Sequence, residues 1–422
     1  MANTSDAMAS AQRLDVVDAL RGFALLAIVL LHNLEHYNIF YGNLAVPDWL
    51  GATDRILTDV IYFFFAGKAY ATFSLLFGFS FYIQMRNARR RGHDFRLRFA
   101  WRMLLLVCFS QLHALFYNGD ILLLYAFCGL LLIPASGWSD RRVLIVATVL
   151  MLQPYAWGKM IYGWLNPEYV DTNSLFAQFA AVAEETGRHG GLLATLADNI
   201  WNGQLYSNFW QVEAGRLFQT PALFLLGMWL GRRNLFSDDA ANRIFWKKAL
   251  MYAAVAAIPL YALKTYVPQH ISNITVASYY GIAIPMLYNF VFMVILVSLF
   301  ILAWYGRGNG YRFQRSIIAY GRMSLTNYIT QSIIGVAVYY NFGLGLWDSV
   351  GPALSVLIGL AIFMAQLMFS RYWLGRAGSA RISVETRHMD RSRYTDNHQG
   401  LIPVDNGFSC DAWHSRATSV CL

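Results

Sequence analysis

Charge is scarce in this sequence: 14% of its 422 residues are Asp, Glu, Lys or Arg, while 57% are hydrophobic and 16% aromatic. A soluble domain would bury too little of that apolar surface, so the composition excludes an anchored soluble enzyme in favour of an integral membrane protein. Cysteine is equally sparse. Of the four, Cys108 and Cys128 fall alone in separate apolar runs, and Cys410 and Cys421 lie near the end, which excludes a disulfide framework. His388, His398, Cys410 and His414 are irregularly spaced in a polar segment, so no metal site is expected. The glycine clusters at 306–310 and 343–345 follow no strand and precede no GKS or GKT, which makes them turns rather than phosphate loops. No small-residue cleavage site follows the first apolar run, so that run is read as a retained helix.

What is present is a series of apolar runs near 19–38, 56–85, 99–117, 120–136, 142–163, 216–231, 246–266, 278–304, 316–340 and 350–374. A helix needs about 20 residues to cross a hydrocarbon core, so the runs predict an all-α polytopic bundle of about ten transmembrane helices. The second run is taken as one kinked element, interrupted by Asp59, Gly67 and Lys68. The net charge of +9 is carried in short connections at every second crossing, from Arg86 to Arg98 and on through RYWLGR, rather than along one amphipathic surface. That pattern predicts membrane orientation with both termini cytoplasmic, and no nucleic-acid partner. Residues 1–18 are read as a cytoplasmic segment, 19–376 as the membrane domain and 377–422 as a polar, disordered cytoplasmic tail. The segment at 166–215 is a largely extracytoplasmic insertion, with its aromatics either at headgroup depth or capping an outward-facing site.

The first run holds the most informative pair, Arg21 and His32, which bracket ten uncharged residues. An ionisable group at that depth costs about 2.5–3.5 kcal/mol, so it faces a pore, a partner or a reacting group. Eleven helical steps are three turns plus about 20°, which puts both on one face about 16 Å apart along the axis. Arg21 suits binding of a donor's phosphates near the cytoplasmic end, and His32 suits general-base work. Glu35 and His36 follow at three and four residues on the continued helix, where Glu35 is placed to fix the imidazole tautomer. Asp120, at the start of a predicted helix, reads either as a cap or as a second acid. Arg322 and Asn327, in GRMSLTNYITQS, read either as helix–helix hydrogen-bonding groups or as lining for a cytosol-facing cavity that meets the donor's phosphates.

The segments DALRGFALLAIVLLHN, GKAYATFSLLFGFSF, NGDILLLYAFCGLLL, FQTPALFLLGMWLGR and GRMSLTNYITQS, in that order, resemble the YeiB-like family of bacterial membrane proteins, which carries a domain of unknown function. That family is similar to the membrane acyltransferase superfamily, the acyltransferase-3 and heparan-alpha-glucosaminide N-acetyltransferase type. The resemblance spans roughly residues 13–376. It implies a bundle of about ten helices and acyl transfer, with acyl-CoA as co-substrate and no permanently bound cofactor. The acyltransferases carry an arginine, ten residues and a catalytic histidine in their first helix, the spacing of Arg21 and His32; many YeiB-like proteins have asparagine at the histidine position. Where family members close with a motif of the type GPLEWLWR, this chain continues from LGR into an unrelated polar stretch.

The expected function is that of an acyltransferase in the bacterial inner membrane. It moves an acyl group, expected to be acetyl, from cytosolic acyl-CoA to a hydroxyl or amine of a glycan, lipid or small-molecule acceptor at the outer face, in contact with membrane lipid. His32, Glu35 and Asp120 are the candidate catalytic residues, and Arg21, Arg322 and Asn327 the candidate donor-binding residues. The alternatives are a transporter or exporter lined by Arg21, Arg322 and His32, and a non-catalytic membrane partner.

Overall fold

A chain this apolar must satisfy its backbone polar groups within itself, and helices do so segment by segment. The computed structural model describes residues 14–39, 47–171, 174–306 and 312–396. These form sixteen α-helices and three short 3₁₀ turns, with no strand among the described residues. Residues 1–13 of the expected N-terminal segment and 397–422 of the expected tail lie outside them.

At the centre stands α1 (Asp15–Leu34), nearly every residue of which is buried. Asp15 and Asp18 occupy its first turn, where the helix dipole favours carboxylates. It ends at Glu35, earlier than the apolar run suggests. His36, Tyr37 and Asn38 all take positive φ (45°, 54° and 78°) and reverse the chain. Next come α2 (Asp48–Phe65) and α3 (Ala69–Arg90), split by Gly67 at φ +74°, where a side chain would run into Asn289. The kink expected in the second apolar run is this break between two helices. α4 (Arg96–Ala114) is followed by the short α5 (Leu122–Leu130) and α6 (Leu132–Ala135). α7 (Asp140–Met151) and α8 (Pro154–Leu165) meet at a 44° bend, with Gln153 at φ +57° and Pro154 opening the second helix.

The insertion is an antiparallel pair, α9 (Leu175–His189) and α10 (Leu192–Glu213). The Glu213 carboxylate accepts from the Leu175 and Phe176 amides at 2.7 and 3.1 Å and from the Ser174 hydroxyl at 2.9 Å, so the end of one helix closes the start of the other. α10 buries every fourth residue, Thr195, Asn199, Gly203, Ser207 and Gln211, on the connection between α4 and α5. The chain continues through α11 (Arg216–Arg232), α12 (Ala240–Tyr266), α13 (Ile274–Gly306), α14 (Arg312–Arg322), α15 (Ser324–Tyr339) and α16 (Pro352–Asp396). The polar stretch expected to be unstructured from residue 377 is described as helix as far as Asp396, and residues 379–396 hold no proline or glycine.

Among the described residues, four stretches are long and apolar enough to cross a membrane: Asp48–Arg90, Ala240–His270, Ile274–Gly306 and Pro352–Arg376. The bent pair of α7 and α8 makes a fifth if counted as one. The run expected at 120–136 is only nine helical residues plus four, and the run at 316–340 breaks at Met323 between α14 and α15.

A carboxylate on the connection after α8, Asp171, makes a pH prediction. Asp171 accepts from Lys159 Nζ and from the Tyr279 hydroxyl, both at 2.8 Å, while its own amide donates to Thr275 at 2.9 Å. The Lys159 ammonium and the Tyr279 hydroxyl hold its carboxyl below the usual value of 3.8. A carboxyl with a depressed folded pKa stabilises fully above the unfolded pKa and loses that contribution as pH falls through the folded one. Asp171→Asn should therefore melt lower than the parent chain at pH 7, with the gap closing as melts are taken down past pH 4. An equal gap at every pH would show that the carboxylate's charge contributes nothing.

Candidate functional site

Helical periodicity puts Arg21, Leu25, Ile28 and His32 on one face of α1. The first three line a narrow cavity between α1, α3, α4, α5 and α15, with about 840 Å³ of empty space partly open to its surroundings. Its walls are mostly Leu, Ile and Phe. At one end stand Arg21, Ser80, Gln84 and Arg102, and Tyr70, Tyr125 and Tyr328 also line it. Arg21 donates to Ser80 and Arg102 to Gln84, so neighbouring turns of α3 hold the two guanidinium groups.

The sequence-predicted residues separate into several places. Arg21 lies on the cavity and also pairs with Asp18. Arg322 joins the same carboxylate, its Nε 3.2 Å from Asp18 and its Nη2 2.9 Å from Asp15, and is not on the cavity lining. Asn327 is not on it either. Its amide donates to the Tyr320 carbonyl and the Ser370 hydroxyl, both at 3.0 Å, which uses it as a clamp between α14, α15 and α16. Ser324, Leu325 and Tyr328 are the α15 residues that face the cavity.

His32 lies one turn beyond Ile28, off the lining, in a cluster with 21% of its side chain exposed. Its Nδ1 is 3.5 Å from Glu35 and 3.2 Å from the Tyr117 hydroxyl, and Tyr62 donates to Glu35 at 3.2 Å. His36 does not share that face, because the left-handed turn carries it away. Its ring stacks on Tyr339, with Nδ1 3.2 Å from the Trp347 carbonyl and Nε2 2.8 Å from Ser355.

Asp120 is buried. Its carboxylate accepts from the Leu122 amide at 3.1 Å, as a cap would, and also from the Ser110 hydroxyl. It further lies 2.8 Å from His113 Nδ1. Ser207 and Gln211 of α10 hold its carbonyl at 3.0 and 3.3 Å, so the insertion fixes this loop from outside. His113 was invisible to motif reading, being a lone histidine at the end of an apolar run. Its one signal was Arg102, eleven residues earlier, repeating the spacing of Arg21 and His32. Arg216, also missed, is held between the rings of Tyr70 and Trp210 at 4.4 and 4.1 Å and donates to Gln211 at 3.2 Å. The arrangement can hold an anionic head at one end of an apolar slot and offers two carboxylate-paired histidines near the other.

The sequence pattern of the family described as "Protein of unknown function (DUF418)" matches residues 230–379, which holds Arg322 and Asn327 and lies C-terminal to the other candidates. The chain is 27% identical over 383 residues to the uncharacterized protein YxaH of Bacillus subtilis, covering 86% of this chain and 90% of that one. It is 26% identical over 388 residues to an uncharacterized 39.9 kDa protein in the amylase 3′ region of Bacillus acidopullulyticus, covering 87% and 91%. It is 24% identical over 369 residues to the uncharacterized protein YeiB of Escherichia coli, covering 85% and 91%.

Proposed function

We propose that this YeiB-like protein is an acyltransferase of the bacterial inner membrane, multi-pass with about ten crossing segments and both termini cytoplasmic. It transfers an acyl group, expected to be acetyl, from cytosolic acyl-CoA to an envelope-side hydroxyl or amine. The observation that carries this reading is the cavity with two guanidinium groups at one end, lined by Arg21, Leu25 and Ile28 of the α1 face on which His32 follows one turn later. The arginine-rich connection from Arg86 to Arg98 lies at the same end as Arg102, which supports a cytosolic mouth where an anionic donor is attracted. Arg21 and Arg102 meet the donor's phosphates, and apolar walls exclude water from the thioester. His32, steadied by Glu35, takes the acceptor's proton.

Purified protein in detergent with labelled acetyl-CoA and an envelope extract tests this. Thioester consumption should fall by about 10²–10⁴-fold in His32→Ala. Substrate flux through proteoliposomes with no thioester consumed by the parent chain would replace the enzyme with a transporter whose path is the same cavity.

A further inference from the structure

α3, α12 and α13 carry no Asp or Glu, yet two lysines meet where α3 and α12 pack on α13. Lys68 stands at the start of α3, directly after the Gly67 turn, and is 3% exposed. Lys264 lies in the last turn of α12 and is half-buried. Both ammonium groups reach one ring of α13. Nζ of Lys68 is 5.6 Å from the centre of Tyr288 and 5.5 Å from that of Phe292, and Nζ of Lys264 is 5.0 Å from Tyr288. Among the described residues neither lysine has a carboxylate or a side-chain hydrogen bond; aromatic faces are all they touch.

Taking an ammonium out of water costs more than an aromatic face returns, and a second ammonium beside it adds repulsion. An anion between the two lysines removes both penalties. The helix adds to the pull: no side chain caps the start of α3, so its first amides contribute positive potential at Lys68.

The approach to the pair is aromatic and apolar. Phe63 and Phe64 pack on Phe292 with ring centroids 5.2 and 6.0 Å apart, Tyr261 packs on Tyr288 at 5.7 Å, and all three are exposed. Beside them α12 buries only Asn242, Trp246 and Ala253, so most of its length offers an apolar face to acyl chains. Basic groups between membrane helices, flanked by such rings, suit a lipid head group better than a free solute, because the lipid carries its phosphate to this depth on its own chains.

We propose that Lys68 and Lys264 bind the phosphate of an anionic phospholipid whose chains lie along α12. The site is at the end of α3 opposite Arg89 and Arg90, apart from the cavity arginines, and it holds with or without acyl transfer.

Native mass spectrometry of the detergent-purified chain, titrated with phosphatidylglycerol or with phosphatidylcholine of the same chains, tests the assignment. Both lipids bear a phosphate, but the choline cancels its charge. The arginine-rich connection attracts anionic lipid as well, so the variants decide. Lys264→Met should weaken phosphatidylglycerol binding about fivefold or more and leave phosphatidylcholine unchanged. Lys68→Met should do the same, while Lys68→Arg, which keeps the charge, should bind as the parent chain does. In lipid-free detergent Lys68→Met should melt no lower than the parent, since it removes a buried charge that has no counterion there. Phosphatidylglycerol binding unchanged in Lys264→Met, or equal loss of both lipids, overturns the site, and because Lys264 is half-buried this arm stands even where Lys68→Met does not fold. Displacement of phosphatidylglycerol by an equal concentration of inorganic phosphate overturns the lipid as occupant.

Discussion

Gly227→Val should yield no folded protein, whereas Gly281→Val should purify as the parent chain does. The two changes carry the same intrinsic helix cost, so the difference isolates packing. A Cβ at Gly227 on α11 would overlap the Leu75 carbonyl of α3, and one at Gly78 on α3 would overlap the Phe224 carbonyl of α11. The two backbones touch reciprocally where each lacks a side chain. Overpacking a core costs about 1–3 kcal/mol when side chains can move aside; here the obstacle is backbone, so the helices must separate. α3 supplies Ser80 and Gln84, the partners of both cavity arginines, so the site is lost with the contact. At Gly281 nothing lies within 4 Å. Size-exclusion profiles in detergent measure the outcome, and a monodisperse Gly227→Val peak would show that the crossing yields.

Much of the helical layout was legible because apolar runs of membrane length leave few alternatives: the run at 19–38 corresponds to Asp15–Leu34. The breaks were harder to read. Gln153 and the His36–Asn38 turn interrupt apolar sequence through backbone conformation, which hydropathy does not register, whereas the break at Gly67 was marked by Asp59 and Lys68 beside it. Arg21 and His32 were legible as polar groups on an apolar helix face, and of the two Arg21 is on the cavity lining. GRMSLTNYITQS left two readings open because hydrogen-bonding capacity carries no direction in a sequence: successive residues point about 100° apart, so Tyr328 faces the cavity while Asn327 takes the helix–helix reading and clamps α16. His113 could not be recognised without its partner, since Asp120 reaches it across the connection between α4 and α5.

Asp18→Ala is expected to cost about 3–5 kcal/mol, the range for removing one member of a buried charge pair. Its side chain is 6% exposed and binds two guanidinium groups, Arg21 within α1 and Arg322 at the end of α14. Without it, Arg21 keeps a positive charge at the cavity mouth with no carboxylate on it, and α14 loses an anchor to α1. Arg322→Gln is the informative comparison. Arg322 is 33% exposed and also reaches Asp15, itself 56% exposed, so that change removes solvent-screened pairs and leaves Asp18 matched to Arg21. It should cost about 1 kcal/mol or less. Thermal midpoints of the two variants in one detergent decide the matter: a much larger drop for Asp18→Ala is expected, and equal drops would mean that Asp18 stabilises only through α14. The same pair separates stability from donor binding. With Asp18 gone, one negative charge is lost beside Arg21, so on the acyltransferase reading acyl-CoA should bind the surviving molecules more tightly at low salt, an advantage that ionic strength erases.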